Sequence, residues 1–368
     1  MYIEFILCYS LLSPVYIFVA NKLRLNIVNS IILLIYRGIF SILYIYYANN
    51  NPADANMYIN VEDITSSNKL SFGSDAVLQF NLLISKLFFI PNFGLYGVYG
   101  IIGAIGMLFL YKTLKSKTEN TNKRIISLTK TIVYLPSLAF WTLAPGKDPI
   151  FFLLINIIIY KYAKNQKKER LINNSSIVNL FVLFLIRPHV ALSMTLGFLI
   201  NFFVKIKKRK GLLIRIFSIA IIFFAIVKLL PFMFGYAGLE SYSVDMAVSV
   251  LEDRFSSNSE TLNYPYIIRF LSYLFSPLPS TNINLFYLLE ITQTTFLVFY
   301  FIKLIQFYKP KLDLITHPLF SYSIILTALL SLITFNVGIS SRQRWLIIPA
   351  IIISIMTTNR KPSKEIID

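Results

Sequence analysis

The sequence predicts an all-α polytopic membrane protein of about eleven transmembrane helices, some of them short or re-entrant, with its N-terminus outside and its C-terminus cytoplasmic. Three observations predict it. Apolar runs of near-span length recur along the chain, Lys and Arg gather in the short gaps between them, and no intervening stretch is long enough to fold alone.

Of the 368 residues, 56% are hydrophobic and 14% charged, and the mean hydropathy is +0.65. That much apolar surface exceeds what one soluble core can hide, so lipid is the expected solvent. A net charge of +18 would point to nucleic acid in a soluble protein. Here the cations alternate with apolar runs, which is membrane topology, and no nucleic-acid partner is expected. Cys8 is the only cysteine, and His189 and His317 are the only histidines. A disulfide framework and a Cys-based metal site are therefore excluded, and neither a metal nor a cofactor is assigned.

Apolar runs suit spans at 2–20, 26–47, 93–111, 125–144, 149–163, 212–234, 283–305, 318–336 and 345–357. No basic region precedes the first run and no small-residue cleavage site ends it, so it is expected to be a retained span. Lys22 with Arg24, and the clusters at 112–124, 161–170, 205–210, 303–311 and 360–364, set the cytoplasmic side. Between the clusters ending at Arg170 and starting at Lys205 the chain must enter the membrane and return on two short apolar legs. Their turn, Arg187-Pro188-His189, is expected at some depth in a cavity open to the outside, because charge and irregular backbone are not tolerated against lipid. A short element at 267–275 is expected to be re-entrant or interfacial. The outer segments 48–80 and 235–265 read as amphipathic helices and lids, and 1–368 as one integral membrane domain.

Most cations obey the positive-inside rule, so those on the wrong side carry the information. At or just inside the outer mouth fall Lys147 in Pro145-Gly146-Lys147-Asp148, Arg187, and Arg342 and Arg344 in the 336–344 turn, with Arg254 and Arg269 as weaker members. Together they predict one extracytoplasmic cavity that binds an anion. A diphosphate fits best, because arginine offers a planar fork of donors to phosphate oxygens, and the membrane supplies that group on polyprenyl-diphosphate lipids. Snorkelling to headgroups, or pairing with Asp148 and the outer acids, is the competing structural role.

A base that takes a proton from a hydroxyl must be a carboxylate or histidine, which leaves Asp54, Asp148 and His189 as the catalytic candidates. Asp54 follows the second span directly and is the first choice; Asp148 adjoins Lys147, and His189 adjoins Pro188. Trp141 and Trp345, beside the two charged turns, are candidates for stacking on sugar rings. Arg37, inside the second span, reads as a structural or snorkelling cation rather than a catalytic one.

The segments W-T-L-A-P-G-K-D at 141–148, Arg187-Pro188-His189, and N-V-G-I-S-S-R-Q-R-W-L-I-I-P at 336–349 resemble the charged outer turns of Wzy-type polysaccharide polymerases and the related EpsG-like membrane proteins. The resemblance covers most of the chain in order and spacing. It implies a multi-pass glycosyltransferase of the bacterial cytoplasmic (inner) membrane that joins undecaprenyl-diphosphate-linked oligosaccharide repeat units into O-antigen or capsule. A chain-length regulator would be a further partner. Carried over by position, Arg187, Arg342 and Arg344 would bind the donor's diphosphate. Asp54 sits where membrane glycosyltransferases carry an acid in the first large outer loop, without the paired acids usual there. The alternatives are a transferase adding one sugar from a polyprenyl-monophosphate donor, and a flippase for the lipid-linked unit. The absence of a visible repeat and the gathering of charge at the outer face favour an enzyme over a transporter.

Overall fold

The structure, a computed structural model, describes residues 1–51, 53–60, 72–119, 121–165, 174–206, 265–275, 285–333 and 337–358. Every regular element among the described residues is a helix. Five stretches are long and apolar enough to cross a membrane: Tyr2–Lys22, Ile27–Asn50, Gly94–Thr118, Leu288–Tyr308 and Gly338–Thr358. Four shorter apolar helices accompany them. This architecture fits an all-α membrane protein. The expected span at 212–234, and the 235–264 part of the second outer segment with Arg254, lie outside the described residues. The chain divides into two compact units, Met1–Arg187 and Pro188–Asp368.

In the first unit, α1 (Tyr2–Lys22) contains Pro14, whose missing N–H would leave the Ser10 carbonyl without its helical donor. The Ser13 hydroxyl donates to that carbonyl at 2.8 Å, so the helix continues. α2 (Ile27–Asn50) starts at Asn26, whose side chain accepts from the Asn29 N–H. Two tyrosines of α1 reach across to main-chain oxygens of α2: Tyr9 to Leu34 and Tyr16 to Ser30, both at 2.8 Å.

α5 (Gly94–Thr118) carries glycine at 94, 97, 100, 103 and 106. Each step of three residues falls about 60° short of a full turn, so the row winds around the helix and meets different neighbours in succession. A Cβ at Gly97 would lie 2.8 Å from the Tyr9 backbone nitrogen of α1, and one at Gly106 would lie 3.0 Å from Leu153 Cα further along the chain. In lipid, where burial of apolar surface does not drive helices together, such backbone-to-backbone approach supplies the packing.

The expected span at 125–144 is broken. α6 (Lys123–Val133) stops at Tyr134, and α7 (Pro136–Trp141) restarts with Pro136 in its first turn. The cause is legible in the residues: the position before a proline is pushed out of the helical region, whereas proline itself opens a helix well. α8 (Lys147–Asn165) follows the Pro145-Gly146 turn. Between α2 and α5 along the chain come α3 (Asp54–Ile59) and α4 (Ser74–Phe88), and the unit ends with α9 (Asn174–Ile186).

The second unit holds α10 (Pro188–Ile206), α11 (Tyr266–Phe275), α12 (Leu285–Tyr308), α13 (Pro318–Ile333), α14 (Val337–Gln343) and α15 (Ile348–Thr358). At 19 residues α10 is longer than the short leg expected there, while α9, at 13, is not. A Cβ at Gly197 of α10 would lie 2.4 Å from the Pro318 carbonyl oxygen, which fixes α10 tightly on α13. The Asn201 side chain donates to the Thr316 carbonyl at 2.8 Å beside that contact. A single 3-10 turn, Arg344–Leu346, links α14 to α15, and the Tyr322 hydroxyl donates to its Leu346 carbonyl at 3.0 Å.

Candidate functional site

The first unit builds a charged centre around the turn at 142–148. Gly146 has φ +143°, a conformation that excludes a side chain, and its Cα faces the Tyr58 ring, 3.2 Å from where a Cβ would be. That turn delivers Asp148 into the first turn of α8, where a carboxylate meets the helix N-terminus. α9 delivers Arg187 from the other direction: its helical backbone ends there because Pro188 follows. The Leu185 carbonyl at that end accepts from the Gly73 N–H at 2.8 Å. Arg187 and Asp148 are ion-paired and hydrogen-bonded, with their side chains 10% and 5% exposed. The guanidinium also lies over the Phe151 ring, 5.2 Å from its centroid.

Tyr58 closes this centre. Its main-chain oxygen accepts from Asn81 of α4 at 2.8 Å, and Asn81 in turn accepts from the Tyr99 hydroxyl of α5 at 2.6 Å. Its own hydroxyl donates to Ser74 at 3.3 Å. Burial pushes the Tyr58 phenol up, the Ser74 hydrogen bond and the Arg187 charge pull it down, and the Asp148 and Asp54 carboxylates push it up again. Asp54 itself is exposed, at the start of α3. Lys147 is half-buried, and Trp141 is half-buried in an aromatic group with Tyr44 and Phe140.

Two contacts place this centre along α5. Leu153 lies against Gly106, and the Lys117 ammonium donates to the Ala163 carbonyl at 3.1 Å, so α5 and α8 run parallel in constant register. Extended to Asp148, that register puts the carboxylate level with Ile101 or Ile102, about 11 Å along the axis from the Gly94 end. The carboxylate at the N-terminus of α8 is thus recessed from the Gly94 end of α5.

The second unit carries its own buried pair. Arg344 is 0% exposed and Glu290, on α12, 2%. They are ion-paired, and the guanidinium also donates to the Thr294 hydroxyl at 3.0 Å and lies beside the Trp345 ring. Neighbouring Gln343 accepts from the Tyr273 hydroxyl at 2.9 Å. Arg342 is half-buried at the end of α14. Trp345, expected to offer a face to sugar, is fully enclosed. His189 is half-buried near the start of α10, its carbonyl accepting from Ser193 at 2.8 Å.

Arg187 and Arg344, two of the cations singled out from the sequence, arrive with carboxylate partners. Asp148, adjacent to Lys147 in sequence, meets Arg187 in space. Glu290 escaped sequence reasoning although a signal existed, since an acid inside an apolar run marks a functional or paired position. Tyr58 had none, being one tyrosine among 23. Comparisons with family models, curated proteins and solved structures give no match for this chain.

Proposed function

We propose that the chain is a membrane glycosyltransferase that polymerises polyprenyl-diphosphate-linked oligosaccharide units at the outer face of a bacterial cytoplasmic membrane. In that reading it spans the membrane about eleven times, with its N-terminus outside and its C-terminus cytoplasmic. The observation that carries the proposal is the recessed Arg187–Asp148 pair with Lys147 next to it. A polar pair is expensive below the membrane surface and points to work on a charged substrate.

The pair suits a transfer that creates an anion and releases a proton. The acceptor hydroxyl oxygen attacks the anomeric carbon, forming the new glycosidic bond. The bond from that carbon to the diphosphate oxygen breaks, and polyprenyl diphosphate leaves with the electron pair. Arg187 and Lys147, fixed before the reaction, stabilise the leaving charge. A diphosphate arriving at Arg187 competes with Asp148 for the guanidinium, which releases the carboxylate to accept the hydroxyl proton. Asp148 is thus favoured over Asp54 as the base by its position beside the cation.

The test is turnover of purified protein in nanodiscs with a defined lipid-linked unit, for wild type, Arg187→Lys and Arg187→Gln. Arg187→Lys keeps the charge but loses the two-pronged contact, so chain formation should fall nearly as far as in Arg187→Gln. Normal product from Arg187→Lys would remove the diphosphate role. Translocation of the lipid-linked unit with no glycan joined, even in wild type, would establish the flippase reading instead.

A further inference from the structure

A charged side chain unused by that mechanism sits near the middle of α2. Arg37 is 0% exposed, about 15 Å along its helix from Ile27 and about 20 Å from Asn50. Its guanidinium makes no ion pair among the described residues. Instead one nitrogen donates to the Thr142 hydroxyl at 2.8 Å and another to the Thr142 main-chain oxygen at 2.6 Å. Thr142 is the residue that ends α7. The preceding residue of α2 does the same at the other break: the Tyr36 hydroxyl donates to the Tyr134 main-chain oxygen at 2.7 Å, with the two rings edge to face at 5.5 Å. Tyr134 is where α6 ends.

A helix broken twice at membrane depth leaves carbonyls at each break without helical donors, and lipid provides none. Neutral donors suffice at an open end such as Tyr134. At Thr142 the hydroxyl, which itself donates to the Leu138 carbonyl at 2.6 Å, and the main-chain oxygen both accept, and a guanidinium fork supplies both donors from one rigid plane. Space is made for it by Gly103 of α5, where a Cβ would lie 1.9 Å from the Thr142 oxygen and 2.4 Å from the Arg37 nitrogen. Three chain segments are thus fitted to one contact.

We infer that Tyr36 and Arg37 form a splint for the broken α6–α7 segment and act as positioning residues for Lys147 and Asp148, five and six residues beyond Thr142. This role rests on the proposed function only for its effect on turnover; the splint itself is read from geometry. The cation is held in place to fix a turn, and the substrate never touches it.

The test uses full-length protein in nanodiscs in a Cys8→Ser background, with Lys147→Cys as a reporter and Asn50→Cys as a control. Arg37→Met keeps bulk and removes the fork, Gly103→Ala wedges the contact apart, and Tyr36→Phe removes one donor with no loss of ring. Each should change several-fold the rate at which a small thiol reagent labels the reporter and leave labelling of the control unchanged, with Arg37→Lys between wild type and Arg37→Met. In protein retaining Lys147, Arg37→Met should lower turnover about 10²-fold through misplacement. Adding it to Asp148→Asn should cost little more, because both act through one group. Unchanged reporter labelling in Arg37→Met and Gly103→Ala overturns the splint whatever the activity. If Arg37→Met fails to accumulate, Gly103→Ala and Tyr36→Phe decide in the same way. Altered labelling in a protein whose wild type joins no glycan keeps the splint and rejects the transferase reading.

Discussion

Arg187 and Asp148 stand 39 positions apart in sequence and meet as a salt bridge in which neither side chain is more than 10% exposed. α9 and α8 are locked at their ends by that contact. Removing one partner strands the other charge. Asp148→Asn and Arg187→Gln should each cost roughly 3–5 kcal/mol of stability, while the double variant should recover a large part of the loss. Thermal unfolding of the three variants in one detergent checks this, and purely additive losses would show that the pair is not coupled.

The second pair is more deeply enclosed, so its asymmetry should be sharper. Glu290→Gln leaves the Arg344 guanidinium buried without its counter-charge, whereas Thr294→Val removes one neutral acceptor. Glu290→Gln should abolish accumulation of folded protein, and Thr294→Val should cost only about 1–2 kcal/mol. Fluorescence-detected size exclusion of the two variants separates the outcomes; equal profiles would contradict the ranking.

For the chemistry, Asp148→Asn should lower turnover by about 10²–10⁴-fold if that carboxylate takes the proton. Asp54→Asn, at an exposed position on α3, should lower it by less than about tenfold. The comparison is made at saturating donor with protein amounts matched. A collapse confined to Asp54→Asn would return the role to Asp54, the sequence's first choice.

Orientation is tested by labelling in intact spheroplasts. Cysteines replacing Asn50, Lys147 and Arg342, each in the Cys8→Ser background, should react with an impermeant reagent from outside, with position 147 slower than position 50 because it is recessed. A cysteine replacing Ser116, near the other end of α5, should react only after lysis. The reverse pattern would invert the chain in the membrane and relocate the proposed site.

Helix type and approximate limits were legible because lipid imposes one solution on an apolar run: the described runs at 2–20, 26–47 and 93–111 all appear as single helices. The break at Tyr134 was written in Pro136, yet the run of apolar residues on both sides outweighed it in the sequence reading. Partner choice was less visible. Local adjacency suggested Lys147 for Asp148, while the Arg187 pairing, 39 positions away, has no local signal. Arg37 reads as structural from its place inside an apolar run, and both of its hydrogen bonds go to Thr142. That it serves a carbonyl rather than a headgroup follows only from the break it sits beside.

The glycine row of α5 has a consequence for how this chain can vary. Because the row passes from α1 at Gly94, Gly97 and Gly100 to Thr142 at Gly103 and to α8 at Gly106, inserting a single residue between Gly100 and Gly103 would rotate everything beyond it by about 100° and present side chains to Thr142 and Leu153 at once. The helix works like the cut edge of a key, with notches read in sequence by α1, the Thr142 turn and α8. Length changes should therefore be refused in α5, even where the inserted residue is alanine and the span stays apolar.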